Sequence, residues 1–130
     1  MELPVVNHPD YVAKINDDNK FPIKKFGALA DYLLKECVVK KFHIPKECSI
    51  STLKTSHSLE YINHIKNKTL DLKLQKKIGF PINDSVARRS FVATGGTVLA
   101  SKLALDSKLA CNTAGGSHHA TFDCGAGYCV

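Results

Sequence analysis

The chain has 130 residues and a formal net charge of +6, with 44% hydrophobic and 23% charged residues. That is the make-up of one soluble globular unit rather than a disordered segment, and no run approaches the ~18 consecutive apolar residues of a membrane span. The five cysteines (Cys37, Cys48, Cys111, Cys124 and Cys129) are odd in number, irregularly spaced and without a CxxC pair. Such spacing argues for reduced thiols in a cytoplasmic chain, and against both a secreted disulfide framework and a four-ligand structural zinc site. Met1-Glu2-Leu3-Pro4 has neither the basic nor the apolar region of a secretory signal.

In chain order, Leu3-Pro4-Val5-Val6 is short, apolar and β-branched, and reads as a first strand. Asn7-His8-Pro9-Asp10 follows as a turn, because Pro9 fixes φ and disfavours helix at His8. Residues 15–20 are polar and read as loop. Ile23, Phe26, Leu29 or Ala30, and Leu33 or Leu34 recur at helical steps, which predicts a helix from about Pro22 to Lys35. Ser49–Leu53 is a candidate short strand. Ser58 is a candidate N-cap for a helix over Leu59–Lys66, and Thr69 for one carrying Leu70, Leu74 and Ile78 on one face, stopped by Gly79. Asp84 or Ser85 opens the longest helical pattern, to about Leu105. Ala93, Gly96, Ala100 and Ala104 form a stripe of small residues on it, which predicts that this helix lies close to a sheet. Gly95 and Gly96 each cost roughly 1 kcal/mol against Ala in a helix interior, a cost that close packing would offset. Lys108–Asn112 reads as a buried strand leading into Thr113-Ala114-Gly115-Gly116. A long helix, a short strand and then a glycine-rich loop is α/β grammar, in which ligands gather where strands end. Residues 115–127 form such a loop, and Tyr128-Cys129-Val130 opens a new apolar run. There is no internal repeat or linker.

Gly115-Gly116-Ser117-His118-His119-Ala120 is the stretch richest in chemistry. Two glycines allow a sharp turn and close approach. Neighbouring residues of a strand face opposite ways, so both imidazoles can serve one site only in irregular backbone. A close imidazole pair suits proton transfer near neutral pH; the alternative is a surface loop with two solvated histidines. Other polar residues have plainer readings. His8 and Asp10 have ligand-like spacing, but Pro9 between them argues against a metal site. His57 and His64 cap or solvate a helix. Ser117 lacks a nucleophile elbow, and Cys124 reads as an ordinary loop cysteine. Six lysines between Lys54 and Lys77, against Glu60 and Asp71, form a basic face; without an accompanying nucleic-acid motif, a solvated surface is favoured over a nucleic-acid partner.

At this loop the sequence resembles the histone deacetylase superfamily of zinc hydrolases. The resemblance is carried by Gly115-Gly116-Ser117-His118-His119-Ala120 followed by Gly125-Ala126-Gly127-Tyr128-Cys129. It extends to Leu3–Tyr11, to Phe21-Pro22-Ile23-Lys24-Lys25-Phe26, to His57-Ser58-Leu59-Glu60-Tyr61-Ile62, and to Ile78-Gly79-Phe80-Pro81 and Thr94-Gly95-Gly96-Thr97, in the manner of the bacterial and class IV branch. What the resemblance implies is an α/β chain, the N-terminal portion of an arginase/deacetylase-type three-layer fold with a parallel sheet. It implies hydrolysis of acyl-lysine or a similar acylated amine, with zinc as the cofactor of the intact family. His119 would be the general base and then the acid, and His118 its electrostatic partner. Gly127 and Tyr128 would line a narrow channel for the acylated amine, with Gly116 near its floor; the family's usual aromatic residue is Phe.

The family's zinc ligands, an Asp-x-His motif and a later Asp, lie downstream of its Gly-aromatic-Cys element and are not found in these 130 residues. The expectation is therefore a partial domain over residues 1–130, truncated before the metal ligands, unable to bind zinc alone and inactive alone. Two alternatives stand beside it: a split-enzyme half completed by a complementary C-terminal chain, and a basic non-catalytic binding module. No membrane partner is expected. Bare apolar surface at Leu109, Cys111 and Val130 would make the chain marginally stable.

Overall fold

Two short strands set the frame of the computed structural model, which describes residues 3–130. Strand β1 (Val5–Val6) pairs in parallel with β2 (Cys111–Asn112), Val5 opposite Cys111 and Val6 opposite Asn112. A parallel pair needs a long crossover, and here the crossover is most of the chain. On its other side β1 bonds to His43: Asn7 N donates to His43 O (3.1 Å) and His43 N to Val5 O (2.9 Å). Covered on both sides, Val5 and Val6 are buried.

Between the strands lie α1 (Lys25–Lys35), α2 (Ile50–Leu53), α3 (Leu59–Asn67), α4 (Leu72–Ile78) and α5 (Asp84–Ser107). The chain is thus α/β, with helices around a small parallel sheet. Among the described residues no helix is long and apolar enough to cross a membrane, and all five cysteines are free thiols. The core gathers Tyr11, Phe26, Tyr61, Ile78, Phe80, Val86 and Val92 around the first half of α5.

Several helix ends follow the sequence. Ser58 Oγ accepts from Tyr61 N (3.1 Å) and starts α3. Gly79 ends α4 with φ +89°, the left-handed region that glycine enters at no steric cost. Asn83 Oδ1 accepts from Val86 N (2.9 Å) at the start of α5.

Four expectations need correction. Ser49–Leu53 is a helical turn and not a strand, because the Ser49 hydroxyl accepts from Thr52 N (3.2 Å) and caps it. Asp71, not Thr69, caps α4: its carboxylate accepts from Lys73 N (2.8 Å), while Thr69 N closes α3 on His64 O. The strand read over Lys108–Asn112 shrinks to Cys111–Asn112. Lys108 takes the left-handed turn that ends α5 (φ +69°), and Leu109 comes out 63% exposed, with Cys111 exposed as well. Val130, by contrast, is partly buried and packs against the core.

Two glycines of α5, Gly96 on the small-residue stripe and Gly95 beside it, allow close approach against two different segments. A Cβ at Gly95 would overlap the carbonyl of Lys46, and one at Gly96 the Tyr11 hydroxyl. Bare glycine is what lets α5 touch them. Tyr11 Oη donates to Asn112 Oδ1 (2.9 Å), tying the 3-10 turn Pro9–Tyr11 to the end of β2. Burial pushes the Tyr11 hydroxyl up to about 12, against the opposing pull of Arg89 and the Asn112 hydrogen bond.

Candidate functional site

Thr113 fixes where the site loop leaves the sheet. Its N donates to Val6 O (3.0 Å), and its buried hydroxyl donates to Asn7 Oδ1 (2.7 Å). Beyond it, residues 115–120 have no regular structure. Gly115 takes φ +66°, and a Cβ at either Gly115 or Gly116 would meet nothing within 4 Å. In this irregular backbone the rings of His118 and His119 come together, with centroids 4.2 Å apart and planes 39° from parallel. Both side chains are exposed. Among the described residues neither ring is enclosed; what the geometry gives is two neighbouring, solvent-facing imidazoles.

The loop returns to the body through α3 and α4. The His57 ring lies 2.9 Å from Thr121 O through Nδ1; a carbonyl only accepts, so Nδ1 carries the proton. Ser58 N donates to Phe122 O (2.8 Å). His57 therefore precedes α3 and holds the loop, while His64, within α3, meets Thr69 Oγ1 at 2.8 Å. Gly127 N donates to Lys77 O (3.2 Å) and Tyr128 N to Ile78 O (2.6 Å), so the last carbonyls of α4 receive the glycine–aromatic pair. Gly127 has φ +53°, and a Cβ there would stand 3.0 Å from His119 Cδ2. Gly127 thus lies against the His119 ring.

Gly116 and Tyr128 both line a cleft of about 270 Å³, together with Ser117, Val130 and, from α5, Arg89 and Ala93. Of the five residues singled out in the sequence, Gly116 and Tyr128 line this cleft, while Gly127, His118 and His119 are not among its lining residues. Sequence reasoning missed Arg89. Its Nε donates to Tyr11 O (2.9 Å), its guanidinium lies 4.9 Å from the Phe26 ring centroid, and burial holds its pKa below the usual range. No local pattern distinguishes it from its exposed neighbour Arg88, which pairs with Asp10 and Glu47. That pairing also explains the His8–Asp10 spacing: Asp10 serves a surface ion pair, and His8 Nδ1 accepts from Asp10 N (3.0 Å).

A zinc ion needs at least three protein donors around one point. Among the described residues no three His, Cys, Asp or Glu side chains converge in that way. Asp123, the single acidic side chain after His119 in the sequence, accepts from Thr121 Oγ1 (3.3 Å). The residues described here do not by themselves fit the ion. What they can do is hold two imidazoles together beside a cleft with an aromatic wall.

The chain is 40% identical over 132 residues to an uncharacterized protein of the cyanobacterium Picosynechococcus, covering all of this chain and 44% of that protein. It is 29% identical over 126 residues to a protein named histone deacetylase 2 of Arabidopsis thaliana, covering 85% of this chain and 30% of the relative. The chain therefore spans less than half the length of either relative. A sequence model of the histone deacetylase domain matches residues 20–130, which take in α1 to α5, β2 and the whole site loop. The chain belongs to the histone deacetylase family.

Proposed function

We propose that these residues form the proton-transfer and channel-wall part of a hydrolase that removes acyl groups from acyl-lysine or similar amines. The observation that carries this reading is the imidazole pair at 4.2 Å, backed by Gly127 and set beside a cleft walled by Gly116 and Tyr128. In this reading His119 moves the proton between the attacking water and the leaving amine, and His118 carries compensating charge beside it. Tyr128 and Gly116 give a wall suited to the methylene stem of an acylated lysine, with Gly127 set against His119. Family membership supports zinc as the metal of the completed enzyme. Its ligands would come from outside these residues, on a continuation of the same polypeptide or on a second one, and the surrounding three-layer sheet would be completed there too. The outer edge of β2, which among the described residues bonds to no further strand, is where such completion would begin. Free thiols support a reducing, cytoplasmic setting.

The test is to produce the chain alone, and together with a polypeptide matching the remainder of the cyanobacterial relative, and to assay release of acetate from an acetyl-lysine peptide. Activity is expected only in the combination, with a loss of at least 100-fold in His119→Ala, the lower end of what a positioned proton-transfer group contributes. Hydrolysis that survives His119→Ala would sink the assignment. Hydrolysis by the chain alone would refute the need for completion.

A further inference from the structure

We propose that Asn19 is a positioning residue for the Tyr128 ring, acting through Gly79 and Phe21. The link to catalysis rests on the reading of Tyr128 as channel wall; the geometry of the link stands by itself.

Tyr128 sits at φ +63°, left-handed backbone that a side-chain-bearing residue adopts only when its surroundings impose it. The backbone is imposed by Ile78 O, which accepts from Tyr128 N. The ring is imposed by three neighbours. A Cβ at Gly79 would fall 2.7 Å from Tyr128 Cε1, so the ring lies directly on a bare glycine. Phe80 stands 5.3 Å from it, centroid to centroid, and Phe21 stands 5.0 Å from it at a tilt of 36°. Phe21 and Phe80 meet edge to face at 5.1 Å. Three aromatic rings in mutual contact at these distances reinforce one another.

Gly79 and Phe80 follow a helix and are fixed by it. Phe21 is different, because it belongs to an irregular stretch between the 3-10 turn and α1. Asn19 supplies what that stretch lacks. Its Oδ1 accepts from Phe21 N (2.9 Å), and its Nδ2 donates to Gly79 O (3.0 Å). One carboxamide thus stitches the Phe21 segment to the residue on which the Tyr128 ring rests. The amide has a single orientation that serves both partners, since an N–H must face its oxygen and a carbonyl its nitrogen. Asp keeps the acceptor and loses the donor; Ala loses both. Phe21 also meets Lys25 Nζ at 5.1 Å and the Arg89 guanidinium at 5.9 Å, so its ring has cations as well as Tyr128 for neighbours. Releasing the stitch lets Phe21 shift and moves the cleft wall.

The experiment is aromatic NMR of the folded chain, with the ring signals of Tyr11, Tyr32, Tyr61 and Tyr128 assigned by single Tyr→Phe replacements. In Asn19→Ala the Tyr128 ring signals are expected to shift more than those of the other three. Asn19→Asp should give a smaller shift in the same direction, and Gly79→Ala should again single out Tyr128. Unmoved Tyr128 signals in folded Asn19→Ala, or equal movement of all four tyrosines, would overturn the proposal. Should Asn19→Ala fail to fold, Asn19→Asp is read against the same two outcomes. Where the completed enzyme is active, Asn19→Ala should raise KM several-fold with kcat little changed. An enzyme that never shows activity would end the functional reading and leave the ring test to decide the positioning role.

Discussion

Glycines at the two ends of the site loop live in opposite surroundings. At Gly115 and Gly116 an added Cβ would meet nothing within 4 Å. At Gly125 it would overlap Cys129 O and lie 2.8 Å from Tyr61 Oη and 2.9 Å from Ile78 Cγ1, and at Gly127 it would press on His119. The imidazole end is shaped by backbone freedom and solvent. The Tyr128 end is shaped by packing against α3 and α4. One loop therefore joins a stretch that function can alter at little cost in stability to a stretch that belongs to the core.

The sharpest way to break this contrast is Gly125→Ala. The added methyl meets backbone and buried side chains that cannot step aside, so overpacking should cost about 1–3 kcal/mol or more. Urea unfolding measures it. A loss below ~0.5 kcal/mol, the range of ordinary surface substitutions, would mean that the rear of the loop is as open as the front.

Alkaline titration sharpens the same division, because the packed side holds two buried tyrosines. Burial raises the hydroxyl of Tyr11 to about 12. Burial, then the neighbouring Cys124 and Cys129 thiols, raises that of Tyr61 further still. In the unfolded chain a tyrosine releases its proton near pH ~10. Below that, both states hold the proton and the contribution is complete. Between about pH 10 and 12 the unfolded chain binds fewer protons than the folded one, so stability falls as pH rises. For Tyr11 the loss amounts to about 2–3 kcal/mol across that window. Denaturant midpoints measured through it should decline, and Tyr11→Phe should flatten its share; a level profile would contradict the burial of both rings.

Where the two ends of the loop meet, the start of α3 holds the chain. Ser58 caps that helix and donates its N–H to Phe122 O, with His57 on Thr121 O beside it. Ser58→Ala removes the cap and should cost about 1 kcal/mol. Hydrogen exchange should quicken in the first turn of α3, with the Tyr128 end unaffected. Faster exchange throughout residues 113–130 would show the loop to be one cooperative unit and not two.

Much of this was legible in the sequence, for identifiable reasons. The α3 cap, the Gly79 stop and the long α5 rest on contacts a few residues apart, where local pattern is informative. Ser49–Leu53 was misread because its bulk suggests a strand while its behaviour is set by one capping hydroxyl. Lys108–Asn112 was misread because apolar character at Leu109 and Ala110 does not reveal which way the chain faces after a left-handed turn. In the site, the two imidazoles and the Gly127–Tyr128 pair stood out as motifs. Asn19 did not: its bond to Gly79 O joins residues 60 positions apart, and a lone Asn in a polar stretch looks like any other loop residue. Arg89 was hidden for the same reason, since only packing separates it from Arg88.

Gly116→Ala is the smallest expected effect on stability and the most informative about the front of the loop. Gly116 avoids the left-handed region that Gly115 occupies, so Ala brings no backbone strain, and its methyl meets no neighbour within 4 Å. The unfolding free energy should stay within ~0.5 kcal/mol of the parent. The methyl does, however, take up room in the cleft that Gly116 lines with Tyr128, so an acyl-lysine peptide should be turned over more slowly by the completed enzyme at unchanged fold. Equal loss of stability in Gly116→Ala and Gly125→Ala would erase the distinction between the two ends. Unchanged stability with unchanged turnover would place the substrate on some other surface of the loop.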